Sequence, residues 1–170
     1  MIKERRVLKK GRIVVTRKGS FVLKLANKIY RELKPFCKRI QIGGSIRRKE
    51  KNPVDIDIIL IPKNQENKIK IEQVLRKKGK FLLGGEKRAA FRIEGVKVEL
   101  YYTNFKEWGA AFLAYSSEAG ASIGLRVVAK KQGFKLNQHG LFKKGKFVAG
   151  RTEREIYKAL GRQWKPPEKR

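Results

Sequence analysis

The sequence predicts an α+β protein in which a mixed sheet flanked by helices is followed by a smaller mixed α/β subdomain. Segments with helical spacing alternate with short apolar segments that end at Gly or Pro, as far as about residue 103. Near Asn104 the composition shifts toward small and apolar residues at helical intervals. We therefore expect a basic N-terminal strand or arm over residues 1–19, one subdomain over residues 20–103 and a second over residues 104–170.

Composition indicates a folded protein with a polyanionic partner. The chain has 170 residues, of which 41% are apolar, and this is enough for one good core or two small lobes. Lys and Arg number 44 against 15 Asp and Glu, so the net charge is +29. Such an excess favours nucleic acid as the partner over an anionic membrane surface.

Membrane and secretion signals are not found in the sequence. No apolar run approaches the roughly 20 residues of a membrane span, and the N-terminal residues lack the apolar core of a signal peptide. We therefore expect an intracellular protein, cytoplasmic or associated with the nucleoid. The single Cys37 cannot form an internal disulfide, and we interpret it as a small buried apolar residue.

The sequence predicts alternating helices and strands in the first subdomain. The segment "GRIVVTRKG" predicts a strand in an edge hairpin or a loosely held arm. A helix should follow from Ser20, as its N-cap, to Pro35, and a basic exposed helix should end at Gly79. Buried strands are predicted by "RIQIGG" and "VDIDIILIP", and a meander of three strands by "KFLLGG", "KRAAFRIEG" and "VKVELYYT".

The second subdomain should begin with two helices that are broken around Ser116 to Gly120. Short strands with turns are predicted by "FKLNQHGLFKKGKFVAG". In the last helix, Thr152 and Glu155 have the spacing of a capping box.

Two carboxylates in one apolar strand are the first candidate functional residues. Side chains alternate along a strand, so Asp55 and Asp57 should share one face while their apolar neighbours enter the core. Like charges at that distance repel each other, and a metal ion, an arginine or water must separate them. Carboxylate oxygens are the ligands that Mg²⁺ takes beside the phosphates of a substrate. The alternative is a solvated strand face.

A glycine turn upstream of the aspartates is a second candidate binding element, and the serine that follows it lies ten residues before Asp55. Backbone N–H groups after Gly43 and Gly44 can hold phosphate oxygens, with Ser45 and Arg48 as further donors. A third carboxylate, Glu99, lies in the middle of an apolar strand, where a charge is unusual. Three carboxylates holding two metal ions opposite a triphosphate would form a phosphoryl-transfer site.

These residues carry a family resemblance. The segment "GGSIRRKEKNPVDIDIIL" is similar to the palm signature of the nucleotidyltransferase superfamily, and its arginine pair resembles that of DNA polymerase family X. Three later segments are similar in order and spacing to the thumb subdomain of that family. They are "WGAAFLAYSSEAGASIGLRVVAKKQGFKLNQHGLF", "TEREIYKALG" and "PPEKR". The resemblance covers about residues 20–170 and implies a minimal form with a palm and a thumb.

The resemblance also implies roles for single residues. Asp55 and Asp57 would ligate two Mg²⁺ ions, for which Mn²⁺ could substitute, and Glu99 would ligate the catalytic one. The residues implied in nucleotide binding are Gly44, Ser45, Arg48, Tyr115, Ser116 and Ser117. Those implied in DNA binding are Arg126, Lys130, Lys131, Asn137 and Lys97. For Tyr115 a core aromatic residue, and for Asn137 a turn former, are equal alternatives, and His139 is interpreted as a surface turn residue.

Three positions depart from the family pattern. The third carboxylate is usually Asp, whereas Glu99 is one methylene longer. The aromatic-Thr-Gly-Ser segment of the thumb reads "YSSE" from Tyr115 to Glu118, so sugar selection cannot be carried over from the family. Lys49 replaces the usual glycine after Arg48.

The predicted function is a family X DNA polymerase that adds deoxynucleotides to a primer 3′-hydroxyl on gapped or nicked duplex DNA, in repair, as a monomer. No lyase domain and no helix-hairpin-helix glycine pattern precede the palm in this sequence, so the repair activities housed there are expected to be missing. The alternatives are a template-independent nucleotidyltransferase acting on RNA or another acceptor, and a catalytically weak nucleic-acid-binding protein. Primer extension on gapped DNA, single strands and RNA separates the three.

Overall fold

The computed structural model describes residues 3–7, 11–117 and 119–170, so residues 1–2, 8–10 and 118 lie outside the described part. The chain divides into two compact units. The first ends at Tyr102 and the second spans Thr103–Arg170. Each unit has its own buried apolar cluster, as an α+β chain of two subdomains requires.

A two-stranded hairpin opens the first unit. Strands β1 (Lys3–Val7) and β2 (Ile13–Arg17) pair antiparallel with each other. Neither of them joins the larger sheet of this unit. The strand that the sequence predicts in the basic N-terminal segment is β2.

The rest of the first unit is a mixed sheet with helices. Its helices are α1 (Gly19–Leu33), the four-residue α2 (Gly44–Arg47) and α3 (Gln65–Lys78). Its strands are β3 (Cys37–Ile42), β4 (Ile56–Pro62), β5 (Lys80–Leu83), β6 (Arg88–Ile93) and β7 (Val96–Tyr102). They are arranged in the order β3-β4-β7-β6-β5, with β4 and β7 parallel and the other pairs antiparallel.

One face of this sheet packs against α1 and α3 and forms the core. The helices contribute residues such as Val22, Ile29, Ile71 and Leu75, and the two central strands contribute Ile56, Ile58, Leu60, Val98 and Leu100. Because side chains alternate along a strand, Asp57 and Glu99 lie on the opposite face of the sheet. The helices therefore build the core on one face, and on the other face Asp57 and Glu99 lie beside buried residues such as Ile59 and Ala90.

The second unit is smaller and also mixed. Its elements are α4 (Trp108–Ser116), α5 (Ala119–Lys131), β8 (Lys135–Asn137), β9 (Gly140–Lys143), β10 (Lys146–Ala149) and α6 (Glu153–Ala159). The strands form an antiparallel sheet in the order β10-β9-β8. Gly109 allows α4 to approach the start of α6, since a Cβ there would lie 2.2 Å from the carbonyl carbon of Thr152.

The predicted fold class, helices and strands are confirmed, and one predicted cap is wrong. Ser20 does not cap α1, which begins at Gly19 with Lys18 at the N-cap position and no capping side chain. The backbone of Gly19 packs on Asn52, where a Cβ would be 2.8 Å from the Asn52 Cα, so the first residue of the helix has no room for a side chain. Gly79 ends α3 as predicted, and Thr152 caps α6 by accepting from the backbone N–H of Glu155 at 3.1 Å.

Cys37 is buried, as predicted, and burial raises the pKa of its thiol to about 11. The thiol is therefore protonated and unreactive at neutral pH. Within the described residues, no helix combines the length and the apolar character needed to cross a membrane.

Candidate active site

The register of two parallel strands brings Asp57 beside Glu99. The two residues are direct partners in the pairing of β4 with β7, although 42 residues of sequence separate them. Both lie on the sheet face away from α1 and α3. This row of carboxylates is the centre of the candidate site.

Asp57 carries a charge that its surroundings leave poorly compensated. Burial, together with the negative charges of Glu99 and Asp55, raises the pKa of its carboxyl group to about 6. A hydrogen bond from Tyr101 and the charge of Arg48 lower this pKa in part. A cation placed at Asp57 would favour the charged carboxylate and so offset both burial and these negative charges.

Asp55 comes immediately before β4 and is the more exposed carboxylate of the two. Desolvation by the protein atoms around it and the charge of Glu99 raise its pKa, whereas Lys97 and Arg92 lower it. Both predicted aspartates thus hold their protons more tightly than free aspartate does.

Glu99 is in the opposite electrostatic situation, since two cations and a hydroxyl hold it. Nη2 of Arg88 lies 2.5 Å from Oε2, and Nζ of Lys97 lies 2.9 Å from Oε1. The Tyr101 hydroxyl donates to Oε2 at 2.8 Å and lies 3.2 Å from Oδ1 of Asp57. Burial by itself would raise the pKa of Glu99, but these partners outweigh burial and lower it.

The sheet explains why these partners surround Glu99. Lys97 and Tyr101 are its neighbours two positions away on β7, so they share its face. Arg88 lies opposite Tyr101 on the adjacent strand β6, one diagonal step from Glu99. Sequence reasoning missed Arg88 and Tyr101 as site residues, although alternation along "VKVELYY" could have indicated Tyr101.

The glycine turn packs directly on Asp57. The backbone N–H of Gly43 donates to the Asp57 carbonyl at 2.8 Å. Gly44 has φ +58°, and a Cβ at this position would lie 2.1 Å from Oδ2 of Asp57. Only glycine fits here, because any side chain would collide with the carboxylate and strain the backbone. The structure therefore places the backbone of Gly44 against Asp57, with Ser45 next in the chain.

Arg48 has a partner close by. Its guanidinium forms an ion pair with Glu50, with Nη2 2.8 Å from Oε1. It is half-buried, and its charge lowers the pKa of Asp57. Arg48 is thus near the carboxylate pair, where a phosphate group could exchange with Glu50.

The described part of the chain contains no ready-made metal centre of three ligands. Over residues 3–7, 11–117 and 119–170, no three or more His, Cys, Asp or Glu side chains are grouped so that they could share an ion. Asp55 and Asp57 fit a divalent cation, because hard oxygen ligands with uncompensated charge are what Mg²⁺ requires. Glu99 does not fit in its present contacts, since Arg88 and Lys97 occupy both of its oxygens.

The second unit contains the predicted residues from Tyr115 to Asn137. Tyr115 is half-buried on α4, Ser116 is fully buried, and Ser117 accepts a hydrogen bond from Arg170 at 3.0 Å. Arg170 also pairs with Glu153 at 2.6 Å, and both side chains are almost completely buried.

The predicted DNA-binding residues are found in different settings. Arg126, Lys130 and Lys131 are exposed on α5. Asn137 accepts from the backbone N–H of His139 at 2.8 Å, as a turn former does. His139 is only half exposed, and its ring nitrogen lies 3.1 Å from Glu107. Lys97 belongs to the carboxylate site through its ion pair with Glu99.

Fold and site together define a palm, with carboxylates on adjacent strands beside a glycine turn, followed by a thumb. Residues 122–170 match the family model described as DNA polymerase beta thumb. The chain is 32% identical over 147 residues to a repair DNA polymerase X of African swine fever virus, covering 81% of this chain and 84% of that protein. The chain belongs to the family X DNA polymerases.

Two further relatives agree with this assignment. A repair DNA polymerase X from another strain of African swine fever virus is 31% identical over the same length. DNA polymerase IV of Saccharomyces cerevisiae is 30% identical over 74 residues, which is 44% of this chain and 13% of that protein. The predicted family and enzyme class are thereby confirmed.

Proposed function

We propose that this polymerase fills gaps in duplex DNA, adding deoxynucleotides to a primer 3′-hydroxyl under the direction of a template. The observation that carries the proposal is the register of β4 and β7, which places Asp57 beside Glu99 with Gly44 packed on Asp57. The name of the viral relatives, repair DNA polymerase X, supports a role in repair.

The phosphates of the incoming nucleotide are assigned to the segment after Gly44. Ser45 offers a hydroxyl, and Arg48 offers a guanidinium next to Asp57. Arg48 would exchange Glu50 for a phosphate oxygen, because a doubly charged phosphate is the stronger acceptor for a guanidinium. Tyr115 is proposed to contact the sugar. The buried Ser116, and Ser117 through its hydrogen bond from Arg170, would hold the segment after Tyr115 in place.

Asp55 and Asp57 are the residues that would hold Mg²⁺ in this proposal. When bound, divalent ions would neutralise phosphate charge and lower the pKa of the attacking hydroxyl. The surroundings of Asp57 support this proposal, since burial and the neighbouring negative charges of Glu99 and Asp55 raise its pKa, and the charge of Arg48 compensates its carboxylate only in part. Glu99 would join the pair after releasing Arg88 or Lys97, which become free to contact phosphate.

DNA is proposed to lie along exposed cations of both units. On α5, Arg126 would contact the template strand, and Lys130 and Lys131 the phosphates. A net charge of +29 supports strong contact with the sugar–phosphate backbone and little readout of base sequence.

Extension of a labelled primer with each single nucleotide tests the proposal. The substrates are a gapped duplex, a nicked duplex, a single strand and an RNA, each with Mg²⁺ or Mn²⁺, and Asp57→Asn serves as the inactive control. We expect templated addition on the gapped duplex. Equal addition of all four nucleotides to single strands or RNA would instead indicate a template-independent transferase, and binding without any addition would indicate a nucleic-acid-binding protein.

A further inference from the structure

The hairpin formed by β1 and β2 has an outer face that is exposed to solvent at Ile13 and Val15. Ile13 is 67% exposed and Val15 is 54% exposed, and alternation places them on one face of β2. Thr16, on the other face, is only 7% exposed and donates to the carbonyl of Glu4. The inner face is therefore packed, and the outer face presents β-branched apolar residues to solvent.

The hairpin is also strongly basic. Residues 3–18 contain eight Lys and Arg and a single acidic residue, Glu4, which gives a net charge of +7 over sixteen residues. At described positions, Lys3 and Arg12 are exposed, and Lys3 is paired in register with Arg17. A ribbon with this charge attracts a polyanion and repels most of the other surface of this protein.

Two contacts fix the base of the hairpin, at the end of β2, to the rest of the first unit. The Arg17 guanidinium lies over the Phe21 ring at 5.1 Å, and its Nε donates to the Glu94 carbonyl at 2.8 Å. Gly19, which follows the hairpin, packs against Asn52 in the loop between α2 and β4. The hairpin is thus held in place although its strands do not extend the main sheet.

These contacts lie at the same end of the sheet as Asp55, which immediately precedes β4. Glu94 is in the turn directly before β7, which starts at Val96. Since β4 runs parallel to β7 and Ile56 pairs with Val98, Asp55 enters the sheet at that same end. The loop that contacts Gly19 connects Arg48 with Asp55. The base of the hairpin is therefore next to the segment that carries the candidate active site.

We propose that this hairpin is a DNA-binding ribbon of the polymerase, which holds the duplex beside the active site. Lys3 and Arg12 contact phosphates, and Ile13 and Val15 lie against the deoxyribose groups between them. This combination suits a sugar–phosphate backbone, which alternates charge with apolar sugar surface, and it gives affinity without sequence preference. The inference rests on the proposed function and adds a contact outside the palm site and the thumb helix α5.

Binding measurements with matched variants test this proposal. Dissociation constants for a fluorescein-labelled gapped duplex are measured by anisotropy over a salt series. The charge variant is Lys3→Glu with Arg12→Glu, and the apolar variant is Ile13→Thr with Val15→Thr, which keeps β-branched side chains. The control is Lys24→Glu with Lys77→Glu, exposed lysines on α1 and α3, the helices that cover the face opposite the carboxylates.

The two hairpin variants should weaken binding in different ways. The charge variant should bind at least about tenfold more weakly than the control, and its salt slope should fall by about two, one unit for each lost phosphate contact. The apolar variant should bind severalfold more weakly with an unchanged salt slope. Binding by both variants equal to that of the control would overturn the proposal.

A crosslinking experiment tests the proposed DNA contact even if one of the binding variants fails to fold. Cys37 is buried with its pKa raised to about 11, so a thiol introduced at an exposed position is the reactive one. Ile13→Cys and the control Lys77→Cys are labelled with a photoactivated azide. We expect a crosslink to the gapped duplex from position 13 and none from position 77; no crosslink from position 13 would refute the proposal.

Failure of this inference is distinguishable from failure of the proposed function. If the hairpin is not a DNA contact, the unaltered chain still extends a primer on gapped DNA while the crosslink is absent. If the chain does not fill gaps, extension is absent even where the hairpin crosslinks to DNA.

Discussion

Asp57 and Glu99 are direct neighbours on parallel strands, yet their surroundings shift their pKa values in opposite directions. The cations Arg88 and Lys97 both lie on Glu99 and neither forms an ion pair with Asp57. Asp57 therefore holds excess negative charge, and Glu99 is neutralised.

Replacing Asp57 with Asn should remove activity and stabilise the fold above pH 6. The folded-state pKa of about 6 lies above the reference value of 3.8, so the stability that Asp57 contributes is complete below pH 3.8 and is lost as pH rises through 6. At pH 8 without divalent ions, the Asn variant should be more stable by on the order of 1 to 3 kcal/mol. Urea unfolding at pH 8 and pH 4 measures this, and an equal stability at pH 8 would contradict the burial of charge at Asp57.

Variants of Glu99 test whether it serves as the third carboxylate. Glu99→Gln removes the charge and should reduce primer extension by several orders of magnitude, while DNA binding is retained. Glu99→Asp should reduce extension less, because the charge remains but lies one methylene further back. Mn²⁺, which binds such ligands more tightly, should partly restore the Asp variant and not the Gln variant. Full extension by Glu99→Gln in Mg²⁺ would exclude Glu99 from the chemistry.

Gly44→Ala should damage the site through steric contact alone. The new Cβ would lie 2.1 Å from Oδ2 of Asp57, and the φ of +58° costs about 1 to 2 kcal/mol for a residue with a side chain. A displaced Asp57 should lower extension by about 100-fold or more. Gly124→Ala on α5 is the control, since nothing lies within 4 Å of its Cβ, and it should raise stability by about 0.5 to 1 kcal/mol. Normal extension by Gly44→Ala would show that Asp57 can move freely.

Tyr101→Phe tests the hydroxyl that contacts both carboxylates. Loss of this hydrogen bond should raise the pKa of Asp57 further and lower extension by about tenfold, with the acidic limb of the pH profile moved to higher pH. Tyr102→Phe is the matched control, because the Tyr102 hydroxyl bonds to Glu72 on α3 at 3.0 Å and not to the site. Identical pH profiles for the two variants would show that Tyr101 has only a packing role.

Affinity for duplex DNA should depend steeply on salt. A chain with a charge of +29 that neutralises about 6 to 10 phosphates should lose about 10³- to 10⁵-fold in affinity between 50 and 200 mM salt. Anisotropy titrations with two unrelated duplex sequences measure both the slope and the expected lack of sequence preference. A flat salt profile would contradict backbone binding by the lysines and arginines.

The sequence by itself determined the features that depend on neighbours along the chain. Gly79 marks the end of α3, and alternation in "VDIDIILIP" puts Asp57 on the face away from the core, because both signals act within a few residues. The family was also determined by the sequence, since its motifs combine residue types at fixed short spacings. Local signals were less reliable at Ser20, since α1 begins one residue earlier, at Gly19, which packs closely on Asn52.

Only the tertiary structure decided which charges meet. Parallel pairing of β4 with β7 joins Asp57 to Glu99 across 42 residues of sequence, and antiparallel pairing of β6 adds Arg88 to Glu99. The packing of Gly44 on Asp57 likewise depends on how the turn folds back over the sheet. Strand register is fixed by burial of the whole core and not by any one segment, so the sequence named the carboxylates while the fold determined which of them is neutralised.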